Sequence, residues 1–159
     1  MKRLIYIFLF FFLICHKSYA ITEQEKIDLF TVVEDFFVNL KEKNYSKVWE
    51  SLTSKSQKVI AEDVLKAEKK AGNNVTIEKI FEDFSQGKGL AKDYWDSFLI
   101  YFNPDIILKD SFWEVGKVEK NYAEVLVRYK KSENPTILKL YKEKDIWKFG
   151  LVESFWVIK

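Results

Sequence analysis

The chain has 159 residues, a length that allows a single domain. Charged residues make up 31% of it and the formal net charge is +2, so the sequence lacks the concentrated positive charge of a nucleic-acid-binding surface. Aromatic residues make up 17%, which supplies enough apolar surface for a packed core without disulfide bonds.

The first twenty residues have the pattern of a secretory signal peptide. Lys2 and Arg3 precede an apolar run over 4–14, and Ser18 and Ala20 form a small-x-small cleavage site. The run is shorter than the roughly 20 apolar residues of a stable membrane span. We therefore expect cleavage after Ala20, a periplasmic or secreted location, and no stable membrane span in the mature domain.

Cleavage would also remove three rare residue types. Met1, Cys15 and His16 are each the only residue of their kind, so residues 21–159 contain no thiol and no imidazole. This excludes disulfides, Cys or Ser–His nucleophiles, and zinc or copper sites built on His or Cys. We expect no cofactor, no metal site and no catalytic residue. Two alternatives remain open, an uncleaved membrane anchor and lipidation at Cys15, where the preceding Ile14 replaces the usual small residue.

The spacing of apolar residues predicts five helices in the first part of the domain. Thr22 and Glu25 form a T-x-x-E capping box before a long amphipathic helix that should end near Asn44. Further helices are predicted to begin at Ser46, at Thr53 or Ser54, at Thr76, and at Leu90, the last of them ending before Pro104.

The second part is predicted to be a four-stranded antiparallel meander over 111–118, 122–130, 136–141 and 146–157. Apolar residues alternate with polar ones in the second of these segments, which is typical of a half-buried strand. Gly150 is predicted to mark a bulge in the long last strand. Helices followed by strands predict an α+β fold in one domain over 21–159, with amphipathic helices packed on the meander sheet.

These elements resemble the nuclear transport factor 2-like (cone-fold) superfamily in pattern and order. The similarity spans 21–159 and is clearest at 36–45 (FFVNLKEKNY), at 44–49 (NYSKVW), which open the short second helix, and at 145–149 (DIWKF) in the closing hairpin. The resemblance implies a curved sheet wrapped around the first helix, a cone whose mouth forms a pocket, and homodimers formed through the sheet. Some members are isomerases or dehydratases that use an Asp–His pair, but 21–159 contain no histidine, so that chemistry does not carry over.

Four residues are the candidates for ligand binding: Trp113, Arg128, Tyr129 and Glu153. Trp113 and Tyr129 belong to a set of strand aromatics that could line an apolar pocket, although the pattern favours a role in the core. Glu153 lies among apolar residues and needs a polar partner if it is buried, for which Arg128 is one choice. Arg128 falls on the polar side of its predicted strand, however, and this position favours exposure of Arg128 to solvent.

The leading functional hypothesis is an exported, non-enzymatic envelope domain that binds a small apolar ligand or a protein partner. One alternative is an isomerase-type enzyme that relies on tyrosine and on paired carboxylates such as Asp93 with Asp96 or Asp110 with Glu114, which the pattern instead favours as solvated side chains. A second alternative is a structural assembly subunit that forms homodimers. Carboxylate, lysine, tyrosine and hydroxyl groups are the only chemistry left to the mature chain.

Overall fold

The computed structural model describes residues 21–130 and 132–156, so the predicted signal peptide lies outside the described residues. In this part of the chain seven helices and four strands follow one another. They are α1 (Glu23–Lys41), α2 (Tyr45–Ser51), α3 (Ser54–Lys70), α4 (Ile77–Gln86), α5 (Leu90–Tyr101), α6 (Asp105–Leu108), β1 (Ser111–Glu119), β2 (Tyr122–Tyr129), β3 (Thr136–Glu143), β4 (Ile146–Gly150) and α7 (Leu151–Phe155). Within these residues no helix is both long enough and apolar enough to cross a membrane.

Capping contacts confirm three of the predicted helix starts, at Thr22, Thr53 and Thr76, whereas the helix predicted to begin at Ser46 begins one residue earlier, at Tyr45. Thr22 Oγ1 accepts a hydrogen bond from the Glu25 amide at 3.1 Å, and the Glu25 carboxylate accepts one from the Thr22 amide at 3.0 Å. Thr53 caps α3 and Thr76 caps α4 through their hydroxyl oxygens. These contacts satisfy amide groups that the first turn of a helix leaves without a partner.

The four strands form one antiparallel sheet in the order β1-β2-β3-β4, as the meander predicts. The pairing of β1 with β2 shifts register between Val115 and Val118, so the irregularity lies in β1 and not at Gly150. Alternate residues of β2 are buried, including Ala123, Val125 and Val127, because one face of the sheet packs on the helices.

The prediction of one long strand over 146–157 is wrong, because β4 ends at Gly150 and α7 follows. Leu151 and Val152 are both buried, which a strand with alternating faces does not allow. The Ser154 hydroxyl accepts a hydrogen bond from the Lys139 amide at 2.8 Å and donates one to the Gly150 carbonyl at 2.6 Å. A serine side chain thus takes over the pairing with β3 that a continued strand would have made.

The sequence also missed α6, a single turn that connects the helices to the sheet. Pro104 occupies its N-cap position, and Asn103 Oδ1 accepts a hydrogen bond from the Asp105 amide at 3.0 Å. Proline suits the start of a helix because its fixed φ is already helical and its missing amide is not needed there.

One hydrophobic core joins the helices to the buried face of the sheet. At its centre the Phe36 ring of α1 lies 4.6 Å from that of Phe149 in β4, and Phe37 lies 5.9 Å from the same ring. Trp95 of α5 is fully buried against Phe36. The long first helix therefore packs directly on the last strand, and α5 closes the core on the other side.

Candidate functional site

The four residues predicted to bind a ligand lie on three different elements of the fold, β1, β2 and α7. Trp113 and Tyr129 lie on β1 and β2, whereas Glu153 lies in α7 beyond β4, at the opposite edge. Trp113 is half-buried, and its Nε1 donates a hydrogen bond to the Ile107 carbonyl at 3.0 Å. Tyr129 ends β2 with a 39% exposed side chain, opposite Ser111 in the pairing with β1.

Arg128 and Glu153 each have partners of their own. Arg128 is exposed and donates from Nη1 to the Glu133 carbonyl oxygen at 2.7 Å. Glu153 accepts hydrogen bonds from the Thr53 hydroxyl at 2.9 Å and the Ser56 hydroxyl at 2.6 Å. The described residues contain no ion pair between Arg128 and Glu153, and the structure does not assemble the four predicted residues into one site.

A strongly apolar concavity lies elsewhere in the described structure, between the ends of α5 and α7. This aromatic cleft encloses about 580 Å³, a size in the range of small-molecule pockets, and its lining consists of Phe37, Phe98, Tyr101, Phe102, Phe155 and Trp156. Six aromatic side chains in one cleft supply broad apolar contact area together with polar atoms at the tyrosine and tryptophan.

The floor of the aromatic cleft is continuous with the hydrophobic core. Phe102 stacks at a tilt on Phe37 with ring centroids 5.6 Å apart and on Phe98 at 5.3 Å. Phe98 in turn contacts the buried Trp95 at 5.8 Å. The rings at the bottom of the cleft are therefore fixed by packing before any ligand arrives, which lowers the entropy cost of binding.

The rim of the aromatic cleft is exposed to solvent. Tyr101 is 91% exposed, Phe155 41% and Trp156 37%, three large side chains close together at the surface. Tyr101 is the last residue of α5, which ends there because Pro104 follows shortly. Single exposed apolar residues are ordinary on protein surfaces, whereas a group of aromatics around a cleft is typical of a binding site.

A second concavity, the acidic cleft, adjoins the aromatic cleft along α5. It encloses about 570 Å³ and shares Phe98, Tyr101 and Trp156 with it; the other residues that line it are Val64, Ala67, Glu68, Leu90, Asp93, Tyr94 and Ser97. Burial, with a smaller contribution from the charge of Asp63, raises the pKa of Tyr94 to about 12. Tyr94 therefore stays protonated at neutral pH.

A third cleft, of about 540 Å³, lies between α2 and the turn that joins β3 to β4. Several of its polar groups are engaged within the protein. Lys148 Nζ donates to the Glu50 carbonyl at 2.8 Å, and the Ser54 hydroxyl donates to Glu143 at 2.6 Å. These bonds leave fewer polar groups free for a ligand, and the described lining includes a single aromatic residue, Trp49, against six in the aromatic cleft.

The carboxylate Asp96, a candidate for acid–base chemistry, has the wrong electrostatics for that role. Hydrogen bonds from Lys92, Tyr45 and Lys43 hold the pKa of Asp96 well below its ordinary value. The pKa of Tyr45 is raised, first by burial and then by its bond to Asp96. A general base near neutrality needs the opposite shift of its carboxylate, so this cluster resembles a structural network.

The other candidate carboxylates also lack a catalytic arrangement. Asp110 is paired with Lys130 at 3.1 Å, and Glu114 is exposed on β1. Within 21–130 and 132–156 no three His, Cys, Asp or Glu side chains come together in a group that could hold a metal ion.

Comparison of the chain with protein-family models, curated proteins and solved structures finds no match. The aromatic and acidic clefts are therefore interpreted from their own residues. None of the six residues that line the aromatic cleft was selected from the sequence as a ligand contact. The signal that could have found them is the excess of aromatic residues on α5, where Tyr94, Trp95, Phe98 and Tyr101 cover more than one face of the helix.

Proposed function

We propose that this chain is an exported, non-enzymatic domain that binds a small apolar molecule in the aromatic cleft. The observation that carries the proposal is the cleft itself, lined by six aromatic side chains of which Tyr101, Phe155 and Trp156 stand exposed at the rim. Burying these side chains against a ligand would remove apolar area from water, at roughly 25 cal/mol per Å².

The lack of the residue types that most often act as catalytic bases and nucleophiles supports a binding role. Residues 21–159 contain neither histidine nor cysteine, and the networks around Asp96 and Glu153 use their carboxylates to hold helices together. Binding needs only shape and apolar area, which the cleft supplies.

The binding test uses N-phenyl-1-naphthylamine, an uncharged probe whose fluorescence rises in apolar surroundings. We expect saturable binding with one site per chain, weakened about ten-fold or more by Trp156→Ala, in line with the truncation of a central aromatic contact. Phe112→Ala is the matched control, because Phe112 is a 67% exposed aromatic on β1 that does not line the cleft. An equal loss of probe affinity in both variants would contradict the proposal, as would probe fluorescence that does not saturate with the parent protein.

Export is proposed from the signal-peptide pattern and has its own test. The mass of the protein isolated from its own cells should correspond to a chain that begins at Ile21. A mass that retains residues 1–20 would contradict cleavage, and an added diacylglyceryl group at Cys15 would identify a lipoprotein.

We also infer the cone-fold architecture for this domain. Support comes from the contacts of α1, whose Phe36 and Phe37 pack on Phe149 of β4, and from the four-stranded meander that follows the helices. A crystal structure should show the sheet curved around α1, with the aromatic cleft at its mouth. A flat sheet with α1 along one edge would be a different α+β fold.

A further inference from the structure

The acidic cleft extends the aromatic cleft with charge of one sign. Its charged lining residues are Glu68 on α3 and Asp93 on α5, and the described lining contains no lysine or arginine. The two clefts share Phe98, Tyr101 and Trp156, so an elongated molecule can lie in both.

Helix periodicity explains why the nearby lysines do not line this cleft. Val64, Ala67 and Glu68 are spaced three and four apart and form one face of α3, whereas Lys66 and Lys69 fall on the opposite face. On α5, Asp93 shares a face with Leu90 and Ser97, whereas Lys92 points away and pairs with Asp96.

The two carboxylates remain available to a ligand. Among the described residues the Asp93 side chain makes no hydrogen bond or salt bridge, although the pKa of Lys92 is raised mainly by its bond to Asp96 and to a smaller extent by the charge of Asp93. Glu68 Oε2 accepts one hydrogen bond, from the Asn73 side-chain amide at 2.7 Å. Tyr94, Tyr101 and Trp156 line the same cleft, and the face of an aromatic ring attracts a cation.

We infer that the molecule bound by this domain is a cationic amphiphile, with its apolar chain in the aromatic cleft and its positively charged head at Glu68 and Asp93. This inference rests on the proposed function, because it assigns a chemical class to the ligand of the same site. The complementarity has two parts, apolar contact from the phenylalanines and negative charge from the acidic cleft.

The test compares three probes that carry the same twelve-carbon chain: dodecyltrimethylammonium, dodecyl maltoside and dodecanoate. Each displaces N-phenyl-1-naphthylamine from the purified protein, below its critical micelle concentration. We expect the cationic probe to bind tightest and the anionic probe weakest. Raising the salt concentration should narrow the difference, because exposed charges are screened.

Asp93→Asn and Glu68→Gln test the assigned residues. Each should weaken the binding of the cationic probe about two- to five-fold, the upper part of the range for a solvent-exposed ion pair, and should change the binding of dodecyl maltoside less than about two-fold. Glu114→Gln is the matched control, an exposed carboxylate on β1 outside both clefts, and should change neither. Circular dichroism confirms that each variant is folded.

The outcomes separate the two proposals. If neither dodecyl maltoside nor N-phenyl-1-naphthylamine binds, the apolar site itself is wrong. If all three probes bind equally, or if the double variant Asp93→Asn/Glu68→Gln keeps the cationic preference, the site stands and the assignment of a cationic ligand is overturned.

Discussion

Replacing Ser56 by alanine should destabilise the domain, because one buried hydroxyl joins α3 to α7. Ser56 Oγ donates to Glu153 Oε2 at 2.6 Å and accepts from the Val152 amide at 3.0 Å. Thr53 Oγ1 completes the network through the other carboxylate oxygen of Glu153 at 2.9 Å. Ser56 and Thr53 are both at most 1% exposed, so water does not replace these bonds easily.

The magnitude follows from the two bonds that the alanine removes. A hydrogen bond to a charged group contributes about 1.5–3 kcal/mol, and a buried amide left without an acceptor costs about 1–3 kcal/mol. Glu153 is only partly buried and keeps its bond from Thr53, so the low ends of these ranges apply. We expect Ser56→Ala to lower the free energy of unfolding by about 2.5 kcal/mol and Tm by about 10 °C.

Urea denaturation followed by far-UV circular dichroism measures this change. Ser54→Ala is the matched control, because Ser54 also donates to a carboxylate at 2.6 Å, that of Glu143, but is itself exposed. Removal of the Ser54 hydroxyl should lower the free energy of unfolding by less than about 1 kcal/mol. Equal costs for the two alanines, both below 1 kcal/mol, would refute the reasoning that burial makes this network strong.

Three further predictions concern other parts of the fold. The folded state lowers the pKa of Asp96, so the ionised carboxylate should stabilise the fold above the ordinary aspartate pKa and lose this effect as the pH falls toward the folded-state value. Urea denaturation should therefore show that the parent protein's advantage in stability over Asp96→Asn shrinks from pH 6 to pH 2, and a growing advantage would contradict this. Gly87→Ala should lower the free energy of unfolding by at least about 3 kcal/mol, because φ is +65° and the new Cβ would lie 2.6 Å from the backbone nitrogen of Ser46. Gly72→Ala should lower it by about 1 kcal/mol, because φ is +84° but the surrounding space is open. Thermal melts in which the two variants lose equal stability would contradict this. Phe149→Ala should lower the free energy of unfolding by about 4 kcal/mol, because this residue is fully buried, whereas Phe112→Ala should change it by no more than about 0.5 kcal/mol, because Phe112 is 67% exposed. Similar urea midpoints for the two variants would contradict the assigned core.

Local sequence signals predicted most of the helices and strands. The capping residues Thr22, Thr53 and Thr76 begin helices in the structure because their hydroxyl oxygens accept amide hydrogens from the first turn. Gly87 in turn ends α4 in the left-handed conformation that glycine tolerates. These effects act within a few residues, and the sequence alone contains them.

The errors arose where a tertiary contact decided the local structure. The segment after Gly150 has the β-branched and aromatic residues of a strand, yet it turns into α7 because Ser56 binds the Val152 amide and Ser154 binds the Lys139 amide. Both contacts join residues far apart in the chain. No periodicity in 146–157 could have revealed them.

The sequence did not predict the aromatic cleft. The strand aromatics were expected to belong mainly to the core, and the residues chosen as ligand contacts, Trp113, Arg128, Tyr129 and Glu153, occupy separate places in the structure. The aromatic cleft instead combines one residue of α1 with the ends of α5 and α7. Since the segment after Gly150 was predicted as a strand, Phe155 and Trp156 could not have been placed beside α5.

The hydrogen bonds that join Ser56 and Thr53 to Glu153, and the aromatic cleft, both depend on the short helix α7. An isolated helix of five residues has almost no intrinsic stability, so α7 requires contacts with the rest of the domain. Its first turn is fixed by Ser56 and by burial of Leu151 and Val152, whereas its last residue, Phe155, and the following Trp156 form one wall of the cleft. Glu153, chosen from the sequence as a ligand contact, therefore serves the site indirectly, because its bonds to α3 position the aromatic wall that faces α5.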